Sequence, residues 1–352
     1  MPIGSAPPGR PAVTVRLDAW LEAVPPAVLA RLRSARDVLI VSHENPDADT
    51  LGAALGIREL LAARGGRASL VCSDVPPPLY DFLPGVRDFR TDPDPDRTYD
   101  LAVIVDCGSL DRVGAVRDRH ADLFGALPTL VIDHHASNGA AGAEDWVDPA
   151  AAATCELVAL LAAALGVPMT AGGGALATAL MAGIVMDTAT FAHPNATPRT
   201  LAVSAALVGA GAPLAEISRL LYRSKPDAQL RLFGRVLDRL DTVAGGLVIY
   251  STLTAADVTD TGSLSSHSEG IIDLLSQSEA AEIAILFKEA GPDVTRISVR
   301  TRPGGVDAVV LTGLFGGGGH ARAAGASVPA DVATARARVL PEAERLAAAV
   351  RR

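Results

Sequence analysis

Aspartate and histidine side chains cluster after short apolar runs in the first half of the sequence. Four such clusters follow the runs at 38–41, 101–105, 130–132 and 182–186: His43 with Asp47 and Asp49, then Asp106, then Asp133-His134-His135, and finally Asp187. Runs rich in Val, Ile and Leu are typical of buried strands in a parallel sheet. Ligands of such sheets bind at the carboxyl ends of the strands. The sequence therefore predicts that four strand ends bring these side chains to one place.

Four of these aspartates would repel one another strongly if they converged, and they could not all stay ionised without nearby positive charge. Two divalent cations balance four carboxylates in formal charge, and His43 and His134 can complete the ligand shells as neutral imidazoles. Mixed Asp and His ligation suits Mn²⁺, with Mg²⁺, Fe²⁺, Zn²⁺ or Co²⁺ as competitors. Two such ions about 3.5–4 Å apart activate water and clamp the oxygens of a phosphoryl group. We therefore expect phosphoester hydrolysis.

Each cluster taken alone also has a purely structural interpretation. An aspartate after a strand is usually a helix cap or a turn residue, and Asp49 could cap the helix predicted over 50–64. Adjacent histidines are more often one buried and one solvated side chain than a catalytic pair. The spacing His-x-x-x-Asp-x-Asp, from His43 to Asp49, is more specific because three ligands on one loop can serve two metals. The four clusters together favour a metal site.

These segments resemble the motifs of one enzyme family. Residues 42–49 are similar to the first motif of the DHH phosphoesterases, 105–106 to the second, 133–135 to the third and 183–188 to the fourth. Segments 82–85 and 154–156 fit as well, and 315–320 followed by 323–325 resembles the signature of a C-terminal DHHA1 domain. The resemblance runs from about residue 35 to about residue 328. Within the family it points to the NrnA-type oligoribonucleases and 3′-phosphoadenosine 5′-phosphate (pAp) phosphatases.

The resemblance implies a role for each residue of the four clusters. One metal would be held by His43, Asp47 and Asp106, and the second by Asp49, Asp106, His134 and Asp187, with Asp106 bridging the two. Asp133 would orient a histidine by accepting a hydrogen bond from its ring. His135 would face the substrate phosphate and act on the leaving oxygen. The residues alone indicate the same ligand set but leave open which carboxylate bridges.

A glycine run in the second half of the chain could bind an anion. Gly316, Gly317, Gly318 and Gly319 precede His320. Glycines let the backbone approach a ligand and direct several N–H groups at it, although flexible linkers have the same composition. The resemblance implies that Arg300, on a strand predicted over 296–301, binds substrate together with this loop. Ser268 fits another family element, and equally well a helix cap before residue 271.

Composition limits the class of protein. A formal net charge of −9 argues against a protein that coats long nucleic acid, but it allows a short anionic substrate. Three cysteines without paired spacing indicate a reducing compartment and no disulfide framework. Residues 1–12 lack the apolar core of a signal peptide, and no apolar stretch is long enough to span a bilayer. We expect a cytoplasmic protein without membrane contact, and a homodimer.

The order of the patterns predicts an α/β protein of two domains. We expect a disordered N-terminus (1–13), a DHH domain with a mainly parallel sheet flanked by helices (14–225), a connecting helix (226–245) and a smaller α/β DHHA1 domain (246–352). A break is predicted at 224–226. The active site is expected in the cleft between the two domains, with the metals on one wall and the glycine run on the other.

The expected function is metal-dependent hydrolysis of short oligoribonucleotides, pAp and linear or cyclic dinucleotides such as cyclic di-AMP, to nucleoside monophosphates. The sequence does not rank these substrates. Three alternatives remain open. A RecJ-type single-strand DNA exonuclease shares both domains but is normally longer. A family-II inorganic pyrophosphatase shares only the first domain, and a nucleotide-sensing module would have lost its ligands.

Overall fold

The computed structural model describes residues 15–136, 138 and 145–350, and the expected disorder of 1–13 lies outside them. Two compact units meet in the chain at Ser224 and Lys225. Each unit has its own sheet, of five strands in the first and six in the second.

The first unit is a parallel sheet covered by helices. Its strands are β1 (Asp37–Ser42), β2 (Arg67–Cys72), β3 (Leu101–Val105), β4 (Thr129–Asp133) and β5 (Trp146–Val147). Its helices are α1 (Pro26–Ser34), α2 (Ala48–Ala62), α3 (Ala115–Arg119), α4 (Ala121–Ala126), α5 (Thr154–Ala164), α6 (Ala175–Asp187), α7 (Pro198–Gly209) and α8 (Leu214–Tyr222). The order β2-β1-β3-β4-β5 is parallel throughout. The α/β class and the strands predicted at 38–41, 101–105 and 130–132 are confirmed.

The fourth apolar run is a helix, where the sequence predicted a strand. Residues 182–186 belong to α6, whose side chains from Leu176 to Val185 are all buried. A helix that is apolar on every side has no 3.6-residue periodicity, so its pattern cannot be distinguished from that of a buried strand. Asp187 therefore ends a buried helix and is not at a strand end.

Helices α2 and α6 pack closely because glycines lie where they approach each other. A Cβ atom on Gly52 would lie 2.4 Å from the carbonyl oxygen of Ala179, and one on Gly56 would lie 2.5 Å from Leu180. On the facing helix, a Cβ on Gly183 would lie 2.4 Å from a carboxylate oxygen of Asp49. Real Cβ atoms do not approach other atoms so closely, so this spacing of the two helices requires glycine.

The second unit is a mixed sheet between two layers of helices. Its strands are β6 (Asp241–Val243), β7 (Val248–Leu253), β8 (Ile283–Gly291), β9 (Val294–Thr301), β10 (Gly318–His320) and β11 (Ala323–Val328). Its helices are α9 (Asp227–Asp238), α10 (Ala255–Thr261), α11 (Ile271–Leu275), α12 (Ala308–Gly313) and α13 (Val332–Val350). The order is β10-β11-β9-β8-β7-β6, with only β7 and β8 parallel. One core lies under α12 and α13, and the other under α9 and α11.

Two segments of the second unit differ from the sequence prediction. The connecting helix expected over 226–245 ends at Asp238, and 241–243 form strand β6 against β7. Helix α9 packs Leu232 and Val236 into the core of the second unit, so it is part of that unit. The glycine run is only partly a loop, because Gly318 and Gly319 lie in edge strand β10.

Among the helices that the structure describes, none alone is long and apolar enough to cross a membrane. The pair α7 and α8 meets the criteria of length and composition only when taken together, and the two helices are bent by 112° at their junction.

The glycine contact between α2 and α6 predicts an unequal effect of two alanine substitutions. Gly52→Ala should destabilise the first unit by roughly 1–3 kcal/mol, because the added methyl group overpacks the interface. Gly125→Ala, in helix α4 with open space around its Cβ position, should be neutral or stabilise by up to about 1 kcal/mol. Urea unfolding followed by circular dichroism measures both. Equal midpoints for the two variants would contradict the close packing.

Candidate active site

Strand ends of the first unit place most of the predicted residues. His43 directly follows β1, Asp106 directly follows β3, and Asp133 is the last residue of β4. Because these three strands are adjacent and parallel, their carboxyl ends lie side by side. Helices supply the other aspartates: Asp47 and Asp49 lie at the start of α2, and Asp187 is the last residue of α6.

The cap of α2 is Asp47, not Asp49. The Asp47 carboxylate accepts hydrogen bonds from the backbone N–H groups of Asp49 (2.9 Å) and Thr50 (3.2 Å), which satisfies donors at the helix N-terminus. Asp49 lies in the first turn and is fully buried. The structural interpretation considered for Asp49 is therefore wrong, and its burial needs another explanation.

A first group of possible metal ligands consists of His43, Asp47 and Asp106. Nε2 of His43 lies 3.8 Å from Oδ2 of Asp47 and 3.6 Å from Oδ2 of Asp106. Nδ1 of His43 lies 2.7 Å from the carbonyl oxygen of Glu44, which can only accept a hydrogen bond. Nδ1 therefore carries the proton, and Nε2 presents its lone pair to the two carboxylates.

A second group consists of Asp49, His134 and Asp187. Nε2 of His134 lies 3.1 Å from Oδ2 of Asp187 and 3.9 Å from Oδ2 of Asp49. The same nitrogen lies 3.5 Å from Oδ1 of Asp106, the oxygen that does not face His43. Each oxygen of Asp106 thus faces a different group, an arrangement in which one carboxylate could bridge two metal ions.

Asp106 is held in an unusual backbone conformation. Its φ of 56° lies in the left-handed region, which costs a non-glycine residue on the order of 1–3 kcal/mol. Its N–H donates to the carbonyl oxygen of Ile132 (3.0 Å), and its Oδ1 accepts from the hydroxyl of Thr154 (3.0 Å). The surrounding structure therefore fixes both the strained backbone and the direction of the carboxylate.

The N-terminus of α5 binds the buried carboxylate of Asp49. The backbone N–H of Thr154 donates to Oδ2 (2.6 Å), and that of Cys155 donates to Oδ1 (2.9 Å). Helix N-termini favour negative charge because their N–H groups have no partner within the helix. This contact explains the burial of Asp49, and together with the Thr154 hydroxyl it makes α5 the support of two possible ligands.

A buried ionic network anchors that end of α5. Glu156, fully buried, accepts hydrogen bonds from Arg199 (2.5 Å), from the hydroxyl of Thr200 (2.7 Å) and from the N–H of Ala152 (3.3 Å). Arg199 also binds Asp148 at 2.9 Å. The loop from 148 to 153 is thus tied to α7, which fixes the position of Thr154.

Asp133 orients His135 and not His134. Its Oδ1 lies 2.7 Å from Nδ1 of His135, and its Oδ2 accepts from the side-chain amide of Asn138 at 2.8 Å. Burial opposes ionisation of Asp133, but these two partners outweigh it and keep its pKa below the usual value. With Nδ1 bound in this way, Nε2 of His135 is the ring nitrogen free to act on a substrate.

The residues fit a divalent metal. Burial and the charge of Asp187 raise the pKa of Asp49 to about 7, and burial with the charges of Asp49 and Asp47 raises that of Asp106. Burial lowers the pKa of His134, but Asp187 and Asp49 outweigh it and raise the value to about 9. Nε2 of His134 is buried and makes no hydrogen bond of good geometry, although the Asp187 carboxylate lies 3.1 Å away. A cation among these groups would remove the carboxylate repulsion and give that nitrogen a partner.

The residues predicted to bind substrate in the second unit form a row across three strands. His320 on β10 pairs with Ala323 on β11, which pairs with Arg300 on β9, so the three side chains share one face. Arg300 binds Asp273 at 3.0 Å. Gly317 packs against the carbonyl oxygen of Gly325, where a Cβ would lie at 2.2 Å. The structure therefore places Arg300 and His320 on one face of the sheet, with strand β11 between their strands.

Ser268 is not the cap of the helix that follows it. The cap of α11 is Gly270, and no side chain caps this helix. The Ser268 hydroxyl instead accepts from Nζ of Lys288 at 2.7 Å. Burial and the neighbouring Arg296 lower the pKa of Lys288. Lys288 shares the sheet face of Arg300, and apart from its charge no feature of the sequence identifies it as a site residue.

Comparison with known proteins agrees with this geometry. The family model "DHH family, N-terminal domain" matches residues 37–184, and the model "DHHA1 domain" matches 247–349. A bifunctional oligoribonuclease and PAP phosphatase NrnA from Thermus thermophilus is 33% identical over 86% of this chain and 88% of its own length. The chain belongs to the DHH–DHHA1 family of phosphoester hydrolases.

Two further relatives extend the comparison. An NrnA of the same description from Bacillus subtilis is 26% identical over 85% of this chain and 92% of its own length. The crystal structure of an exopolyphosphatase-related protein from Bacteroides fragilis superposes with a TM-score of 0.79, covering 93% of this chain and 98% of that one at 21% identity. This structural similarity shows that the two chains share a fold.

The hydroxyl of Thr154 should affect metal binding more than stability. Thr154→Val keeps the shape and the backbone contact to Asp49 but removes the hydrogen bond to Asp106. Loss of a group that orients a ligand typically lowers metal affinity about 10- to 100-fold. Thr178→Val, on the buried part of α6, is the matched control. Titration of metal-free protein with Mn²⁺ by calorimetry checks this, and identical affinities for the two variants would show that the hydroxyl is not needed.

Proposed function

We propose that this DHH–DHHA1 protein uses two divalent metal ions, preferably Mn²⁺, to hydrolyse short oligoribonucleotides and pAp. Linear and cyclic dinucleotides, including cyclic di-AMP, belong to the same proposal, with nucleoside monophosphates as products. The observation that carries the proposal is the pair of donor groups that share Asp106, one oxygen facing each group. The NrnA relatives, named as oligoribonuclease and PAP phosphatase, support the choice of substrates.

Different residues of the chain would hold each of the two metal ions. His43, Asp47 and Asp106 would hold one ion, and Asp49, Asp106, His134 and Asp187 the other. Bound there, the ions supply positive charge for the phosphoryl oxygens and acidify the attacking water. The chain provides the fixed geometry: the amides of α5 hold Asp49, and the Thr154 hydroxyl directs Asp106.

His135 is the proposed proton donor to the leaving oxygen. Asp133 accepts from Nδ1, which leaves Nε2 to carry a proton toward the substrate. The depressed pKa of Asp133 keeps it ionised, so that it stabilises the imidazolium form that a general acid needs. His135 is also only partly buried, with a side chain 35% exposed, whereas that of His134 is 15% exposed.

The bridging role of Asp106 predicts different metal contents for two asparagine variants. Asp106→Asn should lose both ions, because each group loses a charged ligand. Asp47→Asn should lose only the ion of the first group, since asparagine preserves the cap of α2. Plasma emission analysis of gel-filtered protein measures the metal content. Full occupancy in Asp106→Asn would rule out the bridge, and activity that survives exhaustive chelation would rule out the two-metal mechanism.

Metals accept any phosphoryl group that reaches them, so discrimination among nucleotides must come from other contacts. In the second unit, Arg300 and His320 share one sheet face, and the backbone beside them is built from glycine. We propose that this row binds a non-scissile phosphate or a terminal nucleotide, with Ser268 and the glycines 316–319 contributing at its edges. Lys288 lies on the same sheet face, so its positive charge would also attract an anionic substrate.

The proposed substrate row predicts losses that depend on the substrate. Arg300→Met and His320→Ala should each lower kcat/KM for pAp and a dinucleotide about ten- to a hundred-fold, the equivalent of a charge-assisted hydrogen bond of roughly 1.5–3 kcal/mol. Hydrolysis of bis-p-nitrophenyl phosphate should fall much less. Asp273→Asn, which breaks the ion pair of Arg300 but keeps its charge, is the control and should retain activity. Equal losses on both substrate types would assign the row to folding or chemistry.

A further inference from the structure

Arg112 has a fixed backbone position beside the first donor group, in the 3₁₀ turn Leu110–Val113 after β3. Its carbonyl oxygen accepts from the N–H of Glu44 at 2.8 Å, and its own N–H donates to Ser109 at 3.0 Å. The hydroxyl of Ser73 binds the next carbonyl, that of Val113, at 2.8 Å. The turn is therefore tied to the loops that follow β1 and β2.

The guanidinium of Arg112 faces a donor rather than an acceptor. Its Nη2 lies 3.1 Å from Nδ1 of His43. That nitrogen carries a proton, because it lies 2.7 Å from the carbonyl oxygen of Glu44, which cannot donate. A guanidinium has only donors. The N–H of Arg112 therefore faces the N–H of His43, and two donors cannot form a hydrogen bond with each other. His43 is not an acceptor for Arg112.

Other arginines of the same segment have acidic partners. Arg117 pairs with Asp111 at 3.9 Å, and Arg119 pairs with Asp92 at 2.9 Å. Across the described ranges, no carboxylate forms an ion pair with Arg112, although it is half-buried. A partly desolvated cation without a partner is costly unless an anion completes it. The planar fork of arginine matches two oxygens of a phosphate.

We propose that Arg112 binds a non-bridging oxygen of the scissile phosphate, a proposal that rests on the phosphoesterase function given above. The guanidinium of Arg112 contacts His43, a possible metal ligand, so an anion bound to Arg112 would lie beside the first donor group. Within the part of the chain that the structure describes, Asp47 and Asp106 pair with His43 and form no ion pair with Arg112. The phosphoryl group under attack is the anion that the proposed reaction would bring to this position.

This role differs in its consequences from that of Arg300 and His320. Those residues are proposed to bind parts of the nucleotide remote from the reaction, so a small ester escapes their loss. Arg112 would bind the group that every substrate shares. Its loss should therefore affect a nucleotide and a small ester alike, and it should weaken the binding of free phosphate.

The test compares Arg112→Met with Arg112→Lys, and with Arg117→Met as the matched control from the same segment. We expect Arg112→Met to lower kcat/KM about ten- to a hundred-fold on both pAp and bis-p-nitrophenyl phosphate. The inhibition constant of inorganic phosphate should rise by a similar factor. Metal content should stay that of the unmodified protein. Arg112→Lys should recover part of the loss, because it restores the charge without the fork.

Three results would overturn the proposal. One is an unchanged phosphate inhibition constant with unchanged kcat/KM. Another is a fall in kcat/KM on pAp with no fall on bis-p-nitrophenyl phosphate, which would place Arg112 at a phosphate other than the scissile one. The third is a loss of metal that accounts for the loss of activity, which would make Arg112 a positioning residue of His43. If the unmodified protein hydrolyses the small ester but not pAp, the proposed substrates fail, and the ester and phosphate measurements still decide the role of Arg112.

Discussion

Repulsion among buried carboxylates is the constraint on which the first unit depends. Asp49 and Asp106 are almost completely inaccessible to solvent, and burial together with neighbouring carboxylates raises the pKa of both, with Asp187 acting on Asp49 and Asp49 acting on Asp106. Burial of uncompensated charge is expensive, so a fold that keeps both must supply positive partners. The α5 amides supply part of that compensation to Asp49. A divalent metal held by the two donor groups would supply the rest.

The supporting structure extends well beyond the ligands. Glu156 and Arg199 tie the start of α5 to α7, and the start of α5 in turn holds Asp49 and Asp106. Residues 148 to 200 thus help to fix two possible metal ligands, Asp106 and Asp49, which lie 48 and 105 positions before Thr154 in the chain. A substitution in this network would alter metal binding without touching a ligand. Such groups are commonly needed as much as the ligands themselves.

The sequence predicted the positions of the candidate site residues better than the contacts that hold these residues in place. Runs of Val, Ile and Leu identified β1, β3 and β4, and the position of His43, Asp106 and Asp133 at their ends followed from parallel pairing. The run before Asp187 was wrongly predicted as a strand, because α6 is buried on all sides and has no periodicity to reveal it. Thr154 and Asn138 were missed as partners of the aspartates, since their roles depend on contacts between distant segments. Nothing in the sequence pointed to Arg112 as a site residue, because a single arginine after a strand is common.

Gly183 affects both the packing of two helices and the space around a possible metal ligand. This residue lies where α6 passes α2, and any Cβ there would press on the Asp49 carboxylate and on the Cys155 sulfur, each 2.4 Å away. The glycine that permits close helix packing therefore also leaves room for a ligand and for the helix that holds it. Because α6 ends in Asp187, the same helix sets the distance between two carboxylates of the second donor group. The close packing of α2 and α6 therefore determines the geometry of the second donor group, and a wider spacing of these helices would separate Asp49 from Asp187 even with every donor residue present.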